Sequence, residues 1–211
     1  MGTKRYVPAW HSDTALLVAA SDGTKTVIVA VDPAAPGVVV HPARLTDGTF
    51  GADIDFDGVA VGEDAVVLRG RAADVALDLA IVRGTVALSA QLEGLAGALW
   101  RMTLDYMRQR SQFGSNLSDL QALRHRMVDL YSEIELAGAS WRDVALHAAK
   151  AQCSQVTQDM GRWAIQYHGA FGYTDEADVA LYVHSGLGPS GWAMRLATGE
   201  KRRRERAFNV R

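Results

Sequence analysis

TLDYMRQRSQFGSNLSDLQALRHRMVDLYSEIELA, running from Thr103 to Ala137, decides how the rest of the chain is read. It holds parts of two amphipathic helices on either side of a charged, aromatic elbow. On the amino-terminal side Leu88, Leu92, Leu95, Leu99, Met102 and Tyr106 recur at alternating steps of four and three. That spacing places them on one helix face. On the carboxy-terminal side Leu120, Leu123, Met127, Leu130 and Ile134 step by three and four in the same way. Two such stripes joined by a short loop predict an antiparallel helix pair. The elbow, Arg110-Ser111-Gln112-Phe113-Gly114, sets an arginine, an amide and a phenylalanine together before a glycine. A turn alone needs none of that chemistry.

Working outward, the first helix is expected over roughly 73–110. Gly84, Gly94 and Gly97 lie inside it, where glycine costs helix stability. Close contact with another helix is the expected reason for them. Ser118-Asp119-Leu120-Gln121 reads as a capping box opening the second helix. Between Gly138 and Gly161 there is neither glycine nor proline. Either a tight turn of ordinary residues closes a hairpin there, or the helix continues. A continuous helix could not fold back on its own bundle and would invite a swapped dimer. Thr174-Asp175-Glu176 reads as a further helix start, with acids placed for the helix dipole. Ser185 to Gly191 breaks that helix, and the basic end Lys201–Arg206 reads as a solvated tail.

Residues 4 to 69 read as β-structure. Ala15–Ala19 and Thr26–Val31 are short branched apolar runs, and Asp22-Gly23 between them is a hairpin signal with a four-residue loop. Val38–Val40 resumes after a Pro/Gly turn, and Thr46–Thr49 is another loop. Ala52 to Asp57 alternates with period two, so Ile54 and Phe56 face a core and the aspartates face water. The fold class is therefore α+β: a small antiparallel β-sheet region over 1–70, then an antiparallel bundle of the four-helix type over 71–211.

Composition narrows the function classes. A chain of 211 residues with 48% hydrophobic residues can bury a sizeable core. A net charge of −2 gives no reason to invoke nucleic acid or an acidic membrane. The lone cysteine, Cys153, excludes an internal disulfide and a cysteine-based zinc cluster, and its helical setting predicts a small buried hydrophobe. No uninterrupted apolar run approaches ~20 residues, so no membrane partner is expected. The first residues lack the apolar core of a signal peptide, which makes the cytoplasm the expected compartment.

Two motifs carry a resemblance. Tyr106-x-x-x-Arg110-x-Gln112-Phe113-Gly114, followed by Leu120-Gln121-Ala122-x-x-His125-x-x-x-x-Asp129, resembles the carboxy-terminal helical domain of acyl-CoA dehydrogenases. Gln166-Tyr167-His168-Gly169-Ala170-Phe171-Gly172-Tyr173 resembles that family's Gln-x-x-Gly-Gly-x-Gly-(Phe/Tyr) signature. The order and spacing suit the family. Lys4-Arg5-Tyr6-Val7-Pro8 is similar to its Lys-x-Trp-Ile-Thr segment, and Phe56–Val61 resembles the last strand of its β-domain.

The resemblance implies FAD as cofactor, an acyl-CoA substrate and a homo-oligomer, dimer or tetramer, formed through the helical bundle. It implies that Arg110 bonds a pyrophosphate, that Gln112 and Phe113 lie near the nucleotide, and that Gln166, His168, Gly169 and Gly172 approach the adenosine half. Tyr6 would stack on the flavin. Gln121 would face the cofactor of a neighbouring subunit, or else serve only as a cap. The family's early segments, an all-helical domain and the first half of the β-domain, find no counterpart here. Pro8 stands where the family offers a hydroxyl to the flavin, and proline has no N–H either. The glutamate base of the family has two locations, which fall here on Gly84 and on Gly191-Trp192-Ala193. The nearest acids are Asp78, Glu93 and Glu200, so no catalytic residue is assigned. The expected function is a subunit of an acyl-CoA-dehydrogenating flavoprotein that needs a hetero-subunit for the base and the rest of the flavin site. The alternative is a catalytically degenerate assembly subunit without flavin. No metal site is expected.

Overall fold

The structure, a computed structural model, describes residues 2–8, 11, 13–45, 47–142, 146–174 and 176–186. The chain divides into two compact units, one ending at Val82 and one beginning at Arg83.

The first unit is built on two three-stranded antiparallel sheets. One has the order β1 (Gly2–Pro8), β5 (Phe50–Phe56), β4 (Val38–Arg44), and the other β2 (Leu16–Ser21), β3 (Thr26–Val31), β6 (Val66–Arg69). Period-two alternation sends Leu16, Val18 and Ala20 of β2, Val27, Val29 and Val31 of β3, and Ala52, Ile54 and Phe56 of β5 into one core. The β2–β3 loop closes as the sequence implies: the Asp22 carboxylate accepts from the Thr24 and Lys25 amides at 2.9 and 2.8 Å. The Lys4 ammonium donates to the Ala19 carbonyl at 2.9 Å, and burial pulls its pKa down. On the polar face Asp53 pairs with Arg5 at 3.0 Å, and Asp55 accepts from Thr3 at 2.6 Å and contacts His41 at 3.1 Å.

The strand expected over 56–61 stops at Phe56. Gly58 takes φ +63°, which ends the extended run, and the last strand is β6.

The helices are α1 (Arg71–Gln109), α2 (Gln121–Arg142), α3 (Leu146–His168) and α4 (178–186). The second-helix stripe is buried at Met127, Leu130 and Ile134. The α1 stripe is rotated from expectation. Leu88, Leu92, Ala96, Leu99, Thr103 and Met107 are buried, whereas Leu95, Met102 and Tyr106 are only half-buried. Short polar residues sit in the interior because their hydroxyls bond back along the helix. Ser89 donates to the Thr85 carbonyl at 2.9 Å and Thr103 to the Leu99 carbonyl at 2.7 Å. A pattern read from hydrophobicity alone skips these positions.

The helices α2 and α3 form a hairpin, which removes the continuous-helix alternative. The Cys153 thiol lies 3.6 Å from the Ala137 carbonyl, 16 residues away in sequence. A straight helix would separate them by about 24 Å. Crossing bonds tie the bundle: Trp100 Nε1–H donates to the Met127 carbonyl at 2.8 Å and Thr157 Oγ–H to the Leu92 carbonyl at 2.8 Å.

Two expectations for α1 are corrected. Among the described residues, Gly84 and Gly94 have nothing within 4 Å of where a Cβ would stand and Gly97 has only the Arg101 guanidinium at 3.5 Å, so these glycines mark no close helix contact there. The helix is also, by length and composition, apolar enough to cross a membrane, with mean hydropathy 1.5 over its most apolar window. The Asp and Arg interruptions hid this from a search for uninterrupted runs. Its Leu88, Leu92, Leu99 and Met107 are nonetheless part of the bundle core.

Candidate nucleotide site at the elbow

The site starts where α1 ends. The Arg110 amide donates to the Tyr106 carbonyl and the Leu117 amide to the Arg110 carbonyl, both at 2.9 Å, so the arginine backbone is held from both sides. Between them lies a small hairpin, β7 (Ser111–Gln112) and β8 (Ser115–Asn116), with Ser111 opposite Asn116 and Gln112 opposite Ser115. Its two-residue turn is Phe113 at φ +55° and Gly114 at φ +83°. Consecutive left-handed residues are what a tight hairpin demands. Glycine takes that conformation freely, and phenylalanine does so at a cost. Phe113 is 89% exposed at the tip.

The second motif forms the end of α3. Gly169 takes φ +62° immediately after the last helical residue, His168. That is the left-handed C-terminal position that glycine favours. The chain then makes a 3₁₀ turn over Gly169–Tyr173. Gly172 packs so tightly on α3 that an added Cβ would stand 3.0 Å from His168 Cβ and 3.3 Å from Ile165 Cα. The His168 ring is 7% exposed. Its Nδ1–H donates to the Ala164 carbonyl at 2.8 Å, an assignment fixed because a carbonyl can only accept. Its face stacks on Tyr106 with centroids 4.2 Å apart and planes 26° apart. That stack joins the two motifs.

Between the motifs lies a cavity of about 560 Å³. Arg110 and Gln112 line it from the elbow, and Gln166, His168 and Gly169 from the second motif. Tyr106, Leu117, Tyr167, Ala170 and Phe171 complete the wall. Sequence reasoning did not assign these last residues to the site. Tyr106 and Phe171 had a signal, since both are aromatics inside the quoted motifs.

Four candidates lie elsewhere. Phe113 is at the exposed hairpin tip and Gly172 is packed against α3. Gln121 is exposed at the first residue of α2. Tyr6 belongs to the first unit, at φ +56°, with its amide donating to Asp53 at 2.9 Å. The capping role expected of Ser118 and Gln121 is corrected as well. The capping box lies two residues earlier, where the Asn116 amide donates to the Asp119 carboxylate at 3.3 Å, and it opens a 3₁₀ turn over Leu117–Asp119 rather than α2 itself.

The cavity is electrostatically one-sided. None of its described lining residues is a carboxylate. Arg110 forms no ion pair among the described residues, while its neighbour Arg108 pairs with Asp105 at 3.5 Å. Arg110 also follows the carboxy-terminal end of α1, where the helix dipole favours a cation. Burial pulls the His168 pKa below its ordinary value, with the Ala164 bond opposing that shift. The wall thus offers an unneutralised guanidinium, two amides and a neutral imidazole. That set suits a phosphate-bearing ligand with hydrogen-bonding groups, such as the adenosine-pyrophosphate half of FAD. Pro8 offers neither hydroxyl nor N–H, and at Gly84 there is no side chain to act as base. Gly191-Trp192-Ala193, Glu200 and the basic end Lys201–Arg206 lie outside the described residues.

Comparison with known proteins agrees with the motifs. The family model described as the acyl-CoA dehydrogenase C-terminal domain matches residues 75–186, more than half of the chain. "Acyl-CoA dehydrogenase IpdE2" of Mycobacterium tuberculosis is 35% identical over 105 residues, covering 46% of this chain and 33% of that protein. A putative acyl-CoA dehydrogenase from Mycobacterium smegmatis superposes with TM-score 0.83 at 19% identity, over 94% of this chain and 58% of that one. A chain of the ChsE4–ChsE5 complex from Mycobacterium tuberculosis superposes with TM-score 0.73 at 25% identity, over 96% of this chain and 57% of that one. This chain therefore spans a third to three-fifths of the length of these relatives. By its family match, its motifs and its fold, the chain belongs to the acyl-CoA dehydrogenase family.

Proposed function

We propose that the chain is a subunit or portion of an acyl-CoA-dehydrogenating flavoprotein, and that the elbow cavity holds the adenosine-pyrophosphate half of FAD. One observation carries this reading. Two motifs some fifty residues apart in sequence converge on a single cavity with an unpaired arginine and no carboxylate in its described wall. Arg110 would make charge-assisted bonds to pyrophosphate oxygens, Gln112 and Gln166 would orient sugar and base, and Gly169 would let the backbone approach. When bound, FAD supplies the acceptor for the hydride removed from an acyl-CoA. No residue here is assigned to the α-proton abstraction that must accompany it. Gly84 supports the view that a hetero-subunit brings the base and the remainder of the flavin site, as does the likeness to one chain of a two-component complex.

Gly84 also supports a second reading, a degenerate subunit that assembles without flavin. The two readings part on nucleotide binding. Titration of the chain with ADP is expected to show salt-sensitive binding that Arg110→Ala weakens at least tenfold. Binding left intact by Arg110→Ala would sink the cavity assignment, and no binding at all would favour the degenerate subunit.

A further inference from the structure

The His168 ring has only one of its nitrogens committed. Nδ1–H is fixed on the Ala164 carbonyl, Nε2 has no partner among the described residues, and that atom is not sealed from solvent. The ring lines the same cavity as Arg110. Its titratable and charged surroundings are short to name. From α1 come the Tyr106 ring stacked on it and the Arg110 guanidinium. From its own helix comes the Tyr167 phenol, whose hydroxyl donates to the Leu123 carbonyl at 3.4 Å. The 3₁₀ turn brings Phe171 and, beyond it, the exposed Tyr173. No carboxylate is among these described residues, so none of them supplies a counter-charge to a protonated ring.

We propose that His168 is a second, proton-dependent contact for the anionic part of the ligand, so that anion binding in the Arg110 cavity draws a proton onto its Nε2. The inference rests on the nucleotide reading above and adds to it a specificity-determining residue. An anion beside Arg110 is the counter-charge the cavity lacks. It favours the protonated ring and turns Nε2–H into a charge-assisted donor. The imidazolium would also lie against the electron-rich Tyr106 face. Because linkage is reciprocal, whatever favours the proton favours the anion by the same factor. Burial already keeps the empty site neutral near pH 7, which leaves protonation available to the ligand. The site then discriminates in favour of anions as pH falls, by at most about tenfold per pH unit for one linked proton. A neutral ligand of the same shape gains nothing.

The test uses the whole chain and NMR of its six histidine rings. The His168 signal is identified by its contact with the Tyr106 ring and by its loss in His168→Gln. Its titration midpoint is measured from pH 5 to 8 with and without inorganic sulfate, whose charge is constant over that range, and then with ADP. We expect sulfate to raise the His168 midpoint by half a pH unit or more and leave the other histidines unmoved. Sulfate affinity should rise at least threefold from pH 7.5 to 6, and His168→Gln should flatten that dependence. Arg110→Ala should abolish both effects. Anion binding with an unmoved His168 midpoint overturns the proposal and spares the nucleotide reading. Failure of both sulfate and ADP to bind at pH 6 overturns the two together.

Discussion

His168 shows how burial becomes a pH dependence. Its ordinary pKa of 6.5 is lowered in the fold, first by desolvation, while its Nδ1–H bond to Ala164 works in the other direction. The unfolded chain therefore binds the proton at a higher pH than the native one. Stability rises with pH wherever the unfolded state holds more protons. The contribution is thus fully present above about pH 6.5 and is lost as pH falls through the lowered native value. Urea denaturation at pH 7.5 and 5.5 should show stability falling in acid, with a smaller fall in His168→Gln. An identical fall in the variant would show that other groups carry the effect. Cys153 is the opposite kind of residue, fully buried, with burial and the nearby Glu93 charge pushing its thiol up to about 11. Because only the thiolate reacts, a disulfide reagent at pH 8 should leave the native protein unmodified and label the urea-unfolded one. Fast labelling of native protein would contradict the buried position.

Elements were legible where one rule governed them and obscure where two competed. The second-helix stripe and the hairpin at Asp22-Gly23 followed from periodicity and turn chemistry alone. The α1 face was misjudged because Thr85, Ser89 and Thr103 satisfy their own hydroxyls along the helix and so tolerate burial that their polarity argues against. The capping box read into Ser118 and Gln121 is made instead by Asn116 and Asp119, because a 3₁₀ turn over Leu117–Asp119 precedes α2. Within the site, motif resemblance placed Arg110, Gln112, Gln166, His168 and Gly169 on one cavity wall, yet the aromatic wall came from packing that spacing does not express. Two substitutions test the element-level account. Gly94 faces open space, so Gly94→Ala should stabilise the chain by about 0.5–1 kcal/mol through helix propensity. A loss of stability would mean that the small residue is needed for packing after all. Phe113 holds a left-handed backbone conformation that costs a side-chain-bearing residue about 1–2 kcal/mol. Phe113→Gly should leave stability unchanged or raise it by up to about 1 kcal/mol in urea denaturation, since an 89% exposed ring loses no packing. A drop of more than that would show the ring packs within this chain. Tyr6 and Phe113 are the described non-glycine residues at positive φ, and both were singled out as cofactor-facing. Strain of this kind collects at functional sites.

At the scale of the whole molecule, the function proposed above gives the chain one half of a cofactor site and little of the other. The cavity favours an anion, but its chief charge, Arg110, is exposed, and screening weakens exposed charges. On the same reading Pro8 would offer no donor to the flavin, and Gly84 would leave the base position without a carboxylate, a loss worth roughly 10²–10⁴-fold in rate. We therefore expect the purified chain alone to hold FAD at well below one per subunit and to show no acyl-CoA dehydrogenation. ADP, which needs only the elbow cavity, should bind it weakly and lose affinity as salt is raised. Apolar side chains left exposed on the helices, Val75, Leu79, Val82, Val128 and Leu136, argue further that the chain does not act as a monomer. Sedimentation should find a dimer or larger species, and co-expression with a chain carrying an acyl-CoA dehydrogenase amino-terminal half should bring visible flavin absorbance and turnover that neither chain shows alone. A monomer would count against assembly through the helices. A yellow protein with one flavin per subunit, active without a partner, would overturn the half-site account, because the chemistry would then have to come from residues to which no role is assigned here.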